Sequence, residues 1–158
     1  MATVGIVGGL GPESTIDYYR RILEAWHRDD PATAPAIVID SLDVRRALHL
    51  VDTDRPALTE YLLASLRRLA GAGVTFAAMT ANTPHIVFDD LAARSPVPLV
   101  SIVEVCAQAA RQRGLRRLTL LARGSPWRDP SIPRCARGTA LPWCRRRTQI
   151  GPGFTNGI

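Results

Sequence analysis

Residues 3–22 read TVGIVGGLGPESTIDYYRRI, and this stretch decides the fold. Val4 to Val7 form an apolar run with β-branched residues that breaks into Gly8-Gly9-Leu10-Gly11-Pro12, the pattern of a buried strand feeding a turn. Pro12 suits the first turn of a helix. Ile16, Tyr19, Ile22, Leu23 and Trp26 then recur at three- and four-residue spacing, which predicts one apolar helix face ending near Asp29-Asp30-Pro31. Strand, glycine-rich turn and amphipathic helix in that order make the opening unit of a parallel sheet.

The alternation continues downstream. Ala36 to Ile39 predict a second strand, and Asp54 with Pro56 open a second helix whose Leu58, Tyr61, Leu62, Leu66 and Leu69 share a face. Ala70-Gly71-Ala72-Gly73 closes that helix, and Val74 to Met79 predict a third strand running into Thr80-Ala81-Asn82-Thr83-Pro84-His85. Pro98 to Ile102 predict a fourth strand, Val103 to Arg113 a helix and Leu118 to Leu121 a fifth strand. The expected fold over residues 1–122 is therefore a Rossmann-like or flavodoxin-like three-layer α/β lobe, with a parallel sheet of four or five strands.

Composition narrows the partners. A chain of 158 residues, 46% hydrophobic, suits one core of ordinary size. Nowhere do about 18 apolar residues follow one another, and the N-terminus has no basic leader, so a soluble cytoplasmic protein with no membrane partner is expected. The three cysteines, Cys106, Cys135 and Cys144, are odd in number and lack CxxC spacing, which supports neither a disulfide framework nor a metal site. The net charge of +6 lies wholly in the tail: residues 1–122 hold 13 Arg against 13 Asp and Glu, whereas residues 123–158 hold 7 Arg against Asp129 alone, 7 − 1 = +6. The body is not basic, so no nucleic-acid partner is expected. Residues 123–158 form an irregular basic tail with neither strand nor helix period, read either as a binding tail or as sequence without a function.

Two constellations can carry chemistry. Gly5, Gly8, Gly9 and Gly11 surround a strand–helix turn, where free backbone N–H groups and the helix dipole favour an anion. The G-x-G-x-x-G pattern is broken by Leu10 and Glu13, and a chain without lysine has no phosphate-binding P-loop, although Asp40 at the second strand could imitate a ribose-binding acid. A fragment of a nucleotide-binding oxidoreductase is thus the weaker reading. The second constellation, Thr80 to His85, puts an Asn amide and a Thr hydroxyl on a strand-to-helix turn, able either to orient a carboxylate or simply to cap the following helix.

Taken together, TVGIVGGLGPESTIDYYRRI and TANTPH resemble the two N-terminal motif blocks of the aspartate/glutamate racemase family, over about Thr3 to Leu121. The resemblance implies two similar α/β lobes with a site between them and an isomerase that interconverts L- and D-amino acids such as aspartate or glutamate without a cofactor. One cysteine from each lobe removes or returns the Cα proton. Carried over by residue, Asn82 and Thr83 match the carboxylate-binding pair, Gly9 and Leu10 the loop that walls the site, and Arg45 a substrate-binding arginine of some members. Ala81 stands at the first cysteine position and cannot transfer a proton; Thr80 beside it is expected to point elsewhere. No block resembling the second lobe is present, so the chain is expected to be a truncated N-terminal lobe with little or no activity, in which a homodimer is one arrangement. The alternative is a non-catalytic lobe that binds a carboxylate or a protein partner.

The family continues after a strand like LTLLA with a T-R-F-T-M-E-like block. With suitably chosen codons, a back-translation of the tail read one frame over can yield RFTMEGSFYPEVRARHGIAVV, which has that form and regains helix-like periodicity. Residues 123–158 are therefore expected to be frameshifted coding sequence, a reading that an intact second-lobe frame downstream in the gene would support and its absence would remove.

Overall fold

The computed structural model describes residues 2–115. The opening stretch folds as its sequence predicts, with β1 at Thr3–Gly8 and α1 at Pro12–Asp29. β2 follows at Ala36–Ser41, α2 at Val44–Thr53, α3 at Arg55–Gly71 and β3 at Phe76–Met79. A 3-10 turn at Thr83–Val87 leads into α4 at Phe88–Arg94, then β4 at Leu99–Val100 and α5 at Ile102–Gln112. All pairings are parallel, in the order β2-β1-β3-β4.

Side chains alternate across the sheet, so each face has its own partners. Val7, Ala77 and Met79 join the main core with Leu58, Leu62, Leu63, Leu66 and Leu69 of α3, all at most 1% exposed. Full burial of such a leucine contributes roughly 1.5–3 kcal/mol, so α3 is the chief stabilising element of this side. A bidentate pair from Arg68 to Asp40, 2.7 and 3.3 Å, ties α3 to β2. Burial is the largest single influence and pushes the Asp40 carboxyl up, but the Arg68 hydrogen bonds, the Ser65 hydroxyl and the Arg68 charge together outweigh it and hold it below the ordinary range.

The other side is thinner. α1 buries Thr15 alone, while Ile16 stays 53% and Tyr19 41% exposed, so the predicted apolar face of this helix is only partly covered. Ile39, Val100 and Val105 are also exposed, and a groove of about 310 Å³ runs among Tyr18, Ala78, Val100, Val105 and Cys106. Periodicity marks which residues share a stripe; it does not supply a layer to cover them.

Several boundaries differ from expectation. The third strand begins at Phe76 because the Val74 N–H bonds to the Leu69 carbonyl and so finishes the α3 turn. The fourth is only Leu99–Val100, since Ser101 caps α5 by accepting the Glu104 N–H, and the helix starts at Ile102. α2 has no counterpart in the sequence reading. Its start is set by Asp43, whose carboxylate accepts the N–H groups of Arg45 and Arg46 at 2.8 and 3.4 Å. The fifth strand expected at Leu118 to Leu121 and the 123–158 tail lie outside the described residues.

Candidate active site

In an open parallel sheet, a crevice forms where successive connections leave in opposite directions. Here β2 lies on one side of β1 and β3 on the other, so the switch point falls between the ends of β1 and β3. The loops that meet there are Gly9-Leu10-Gly11 and Ala81-Asn82-Thr83. Sequence reasoning thus selects both loops that the topology brings together.

The first loop is shaped by close approach. Gly9 has φ +77°, and a Cβ built on it would lie 2.3 Å from the Leu42 carbonyl oxygen. Only glycine fits there without moving the turn after β2. Its N–H is not open to a ligand, because it donates to Thr15 Oγ1 at 3.0 Å. This corrects the expectation of free N–H groups at this turn as far as Gly9 is concerned. The Leu10 side chain is buried in the main core, so backbone is what it presents to the crevice.

The second loop is anchored from below. Thr80 is 1% exposed, its N–H donates to the Val7 carbonyl, and its Oγ1 lies 3.0 Å from Thr15 Oγ1. It points into the fold, as the sequence suggests for a residue beside the motif. Asn82 is exposed and occupies the cap position of the 3-10 turn, yet its side chain makes no capping hydrogen bond. The capping alternative therefore loses its physical basis at Asn82. Thr83 is half-buried at the start of that turn.

His85 holds the loop from behind. It is 6% exposed, stacks on Phe88 with ring centroids 5.2 Å apart, and its Nδ1 lies 2.9 Å from the Ala81 carbonyl. A carbonyl can only accept, so Nδ1 carries a proton. Nε2 is buried without a hydrogen-bond partner among the described residues. Burial lowers the imidazole below its ordinary value, against hydrogen bonds to the Ala81 and Asn82 backbone that raise it.

Arg45 sits exposed in the first turn of α2, the helix that follows β2. Its neighbour Arg46 stacks 4.7 Å from the Tyr61 ring centroid, and the Tyr61 hydroxyl accepts the Asp43 N–H. Asp40, the imitation ribose acid, is taken by Arg68 on the α3 side. Cys106 lies on α5 in the groove with Tyr18 and Val100, apart from Ala81. Among the described residues no group of three or more His, Cys, Asp or Glu is placed to hold a metal ion. A larger groove of about 570 Å³ runs between α3 and α4, lined by Asp54, Glu60, Ile86, Asp90 and Arg94; its lining mixes the Glu60–Arg94 pair and further charges with apolar groups and defines no single ligand chemistry.

What sequence reasoning missed is Thr15. Its signal is a threonine four residues after the cap glycine in GPEST, where a hydroxyl can bond back to the Gly11 carbonyl, here at 3.1 Å.

These features define a doubly wound α/β lobe with a loop-built crevice at its switch point. The family follows from comparison: the Asp/Glu/Hydantoin racemase profile matches residues 7–137, and the chain belongs to that family. An aspartate racemase homologue from Pyrococcus horikoshii superposes with a TM-score of 0.77 at 28% identity, over 91% of this chain and 64% of that one. The Picrophilus torridus aspartate racemase gives 0.73 at 16% identity, over 89% and 61%, a likeness of fold. The chain thus spans less than two thirds of the length of either. No described helix is long and apolar enough to cross a membrane.

Proposed function

We propose that this lobe forms one wall of a racemase-type site that binds an acidic amino acid such as aspartate or glutamate, with Asn82 and Thr83 holding the α-carboxylate. The observation that carries the reading is Asn82. An exposed amide at the end of a central strand, released from capping, is a donor and acceptor available to a ligand. Gly9 and Leu10 supply the facing loop, and Arg45 in the first turn of α2 offers a cation for a second carboxylate once a substrate spans the crevice.

Racemisation needs an acid/base group on each face of Cα and stabilisation of the charge that develops when the proton leaves. The Ala81 methyl has no transferable proton, so the chain by itself supports binding and orientation more readily than turnover. That same methyl favours the second reading, a carboxylate-binding lobe without catalysis. Both predict saturable binding of L-aspartate or L-glutamate, weakened about tenfold or more in Asn82→Ala, the order expected for a hydrogen bond to a charged group. Measuring Cα-proton exchange of these amino acids into deuterated water separates them. Exchange well above background supports the racemase, and binding without exchange the non-catalytic lobe. Absence of saturable binding, or an Asn82→Ala variant that binds as well as the parent, removes the carboxylate assignment.

A further inference from the structure

One buried oxygen joins the two loops of the crevice. Thr15 Oγ1 lies 3.0 Å from the Gly9 nitrogen, 3.1 Å from the Gly11 carbonyl and 3.0 Å from Thr80 Oγ1, across 65 residues of sequence. Thr15 is 8% and Thr80 1% exposed, so water does not compete for these contacts. The approach depends on Gly8, where a Cβ would come within 2.7 Å of Thr15 Cγ2.

Counting protons fixes one end of the network. The Gly9 N–H can only donate and the Gly11 carbonyl can only accept. Thr15 Oγ1 therefore receives the Gly9 N–H and gives its single hydrogen either to the Gly11 carbonyl, with the Thr80 hydroxyl donating to it, or to Thr80 Oγ1, with the Thr80 hydroxyl donating to the Val7 carbonyl at 3.5 Å. In either arrangement the contacts of this hydroxyl run to the first loop and to the residue that leads into the second. Thr80 in turn is the residue immediately before Ala81-Asn82-Thr83, and its N–H is held by Val7 at 3.3 Å.

We infer that Thr15 is a positioning residue: a hydroxyl latch that sets the Gly9-Leu10-Gly11 loop against the Ala81-Asn82-Thr83 loop, and so fixes the spacing of the ligand crevice. The inference rests on the carboxylate-site reading given above for its ligand. It goes beyond that reading by assigning the spacing to a side chain that does not touch the ligand. Ordinary helix packing would need only the size of the residue. A latch needs the oxygen, and it transmits a change at α1 to a loop on another strand.

The test uses the full chain with Thr15→Ala and Thr15→Ser, serine keeping the oxygen and losing only the methyl. Two quantities are read: amide hydrogen exchange at Gly9 and at Ala81, Asn82 and Thr83, and saturation binding of L-aspartate. In Thr15→Ala, exchange rises about tenfold at Gly9 and measurably across the switch point at Ala81 to Thr83, and L-aspartate affinity falls about tenfold, as for the loss of a buried hydrogen bond. Thr15→Ser restores both. Thr80→Ala reproduces the effect at Gly9 from the opposite side, which keeps the inference testable should Thr15→Ala not fold. Perturbation confined to Gly9, or alanine and serine variants that behave alike, overturns the latch. If the parent chain does not bind L-aspartate, the carboxylate reading fails on its own, and the exchange pattern alone still decides for or against the latch.

Discussion

Gly9→Ala and Gly73→Ala form a matched pair, because the two glycines share a left-handed backbone, φ +77° and +80°, but not their surroundings. A Cβ on Gly73 meets nothing within 4 Å, whereas one on Gly9 falls 2.3 Å from the Leu42 oxygen and 2.6 Å from the Leu42 nitrogen. Placing alanine in this conformation costs about 1–2 kcal/mol at either site. At Gly9 the added methyl must also displace the turn after β2, which strains or breaks the 3.0 Å bond from the Leu42 N–H to the Gly8 carbonyl. A buried donor left without its partner costs about 1–3 kcal/mol more. Gly73→Ala should therefore destabilise by about 1–2 kcal/mol and Gly9→Ala by about 2–5 kcal/mol. Urea unfolding followed by circular dichroism measures both, and the Leu42 amide should exchange faster in Gly9→Ala alone. In thermal melts the Gly9 variant should fall by roughly 10 °C or more, given about 4–8 °C per kcal/mol for a domain of this size. Equal losses for the two variants would refute the argument that close approach, and not the sign of φ, makes Gly9 irreplaceable.

Three further outcomes are expected. Leu62→Ala, at a fully buried site on α3, should cost about 2–5 kcal/mol in the same unfolding assay; a loss below about 1 kcal/mol would mean the core lies elsewhere. Asp43→Ala removes the carboxylate that starts α2 and should cost about 1 kcal/mol, with Asp43→Asn and Asp43→Ser close to the parent, since each keeps a capping oxygen. His85 is buried and neutral, with its folded value lowered, so the unfolded chain takes up its proton first as pH falls. Stability from this group is therefore complete above the unfolded value of about 6.5 and declines below it, and His85→Gln should flatten the slope of unfolding free energy between about pH 7 and pH 5. An unchanged slope would show that the imidazole is not the titrating group.

The parts legible in the sequence are those where one local signal suffices. Val4 to Val7, the glycine turn and Pro12 place β1 and α1 because burial, backbone freedom and a fixed φ each act within a few residues. The α3 leucines are equally plain, since a helix covering a sheet needs a continuous apolar stripe. α2 is missed because a helix of 10 residues that buries only Ala47 and Val51 carries little period, and its signal is the cap at Asp43. β4 is over-read because Ser101 serves the next helix in preference to the ladder. At the site, both loops are legible as motifs, whereas the Thr15 to Thr80 contact spans 65 residues and depends on how α1 lies against β1. Nor does sequence show that β1 and β3 are neighbours, because that follows from strand order.

The unequal cover of the two sheet faces bears on how the lobe breathes. α3 buries a row of leucines against the sheet, while α1 buries Thr15 and α5 buries Ala107 and Ala110. Regions with few buried apolar contacts open at lower free energy than the rest, in cooperative units. α1 and α5 are then the elements that lift first, and α3 with β1 and β3 the unit that persists until global unfolding. Because Thr15 rides on α1, each such opening releases the Gly9 loop as well, so the crevice is held by the less secure of the two described layers and a ligand bridging both loops would tighten that layer from the inside.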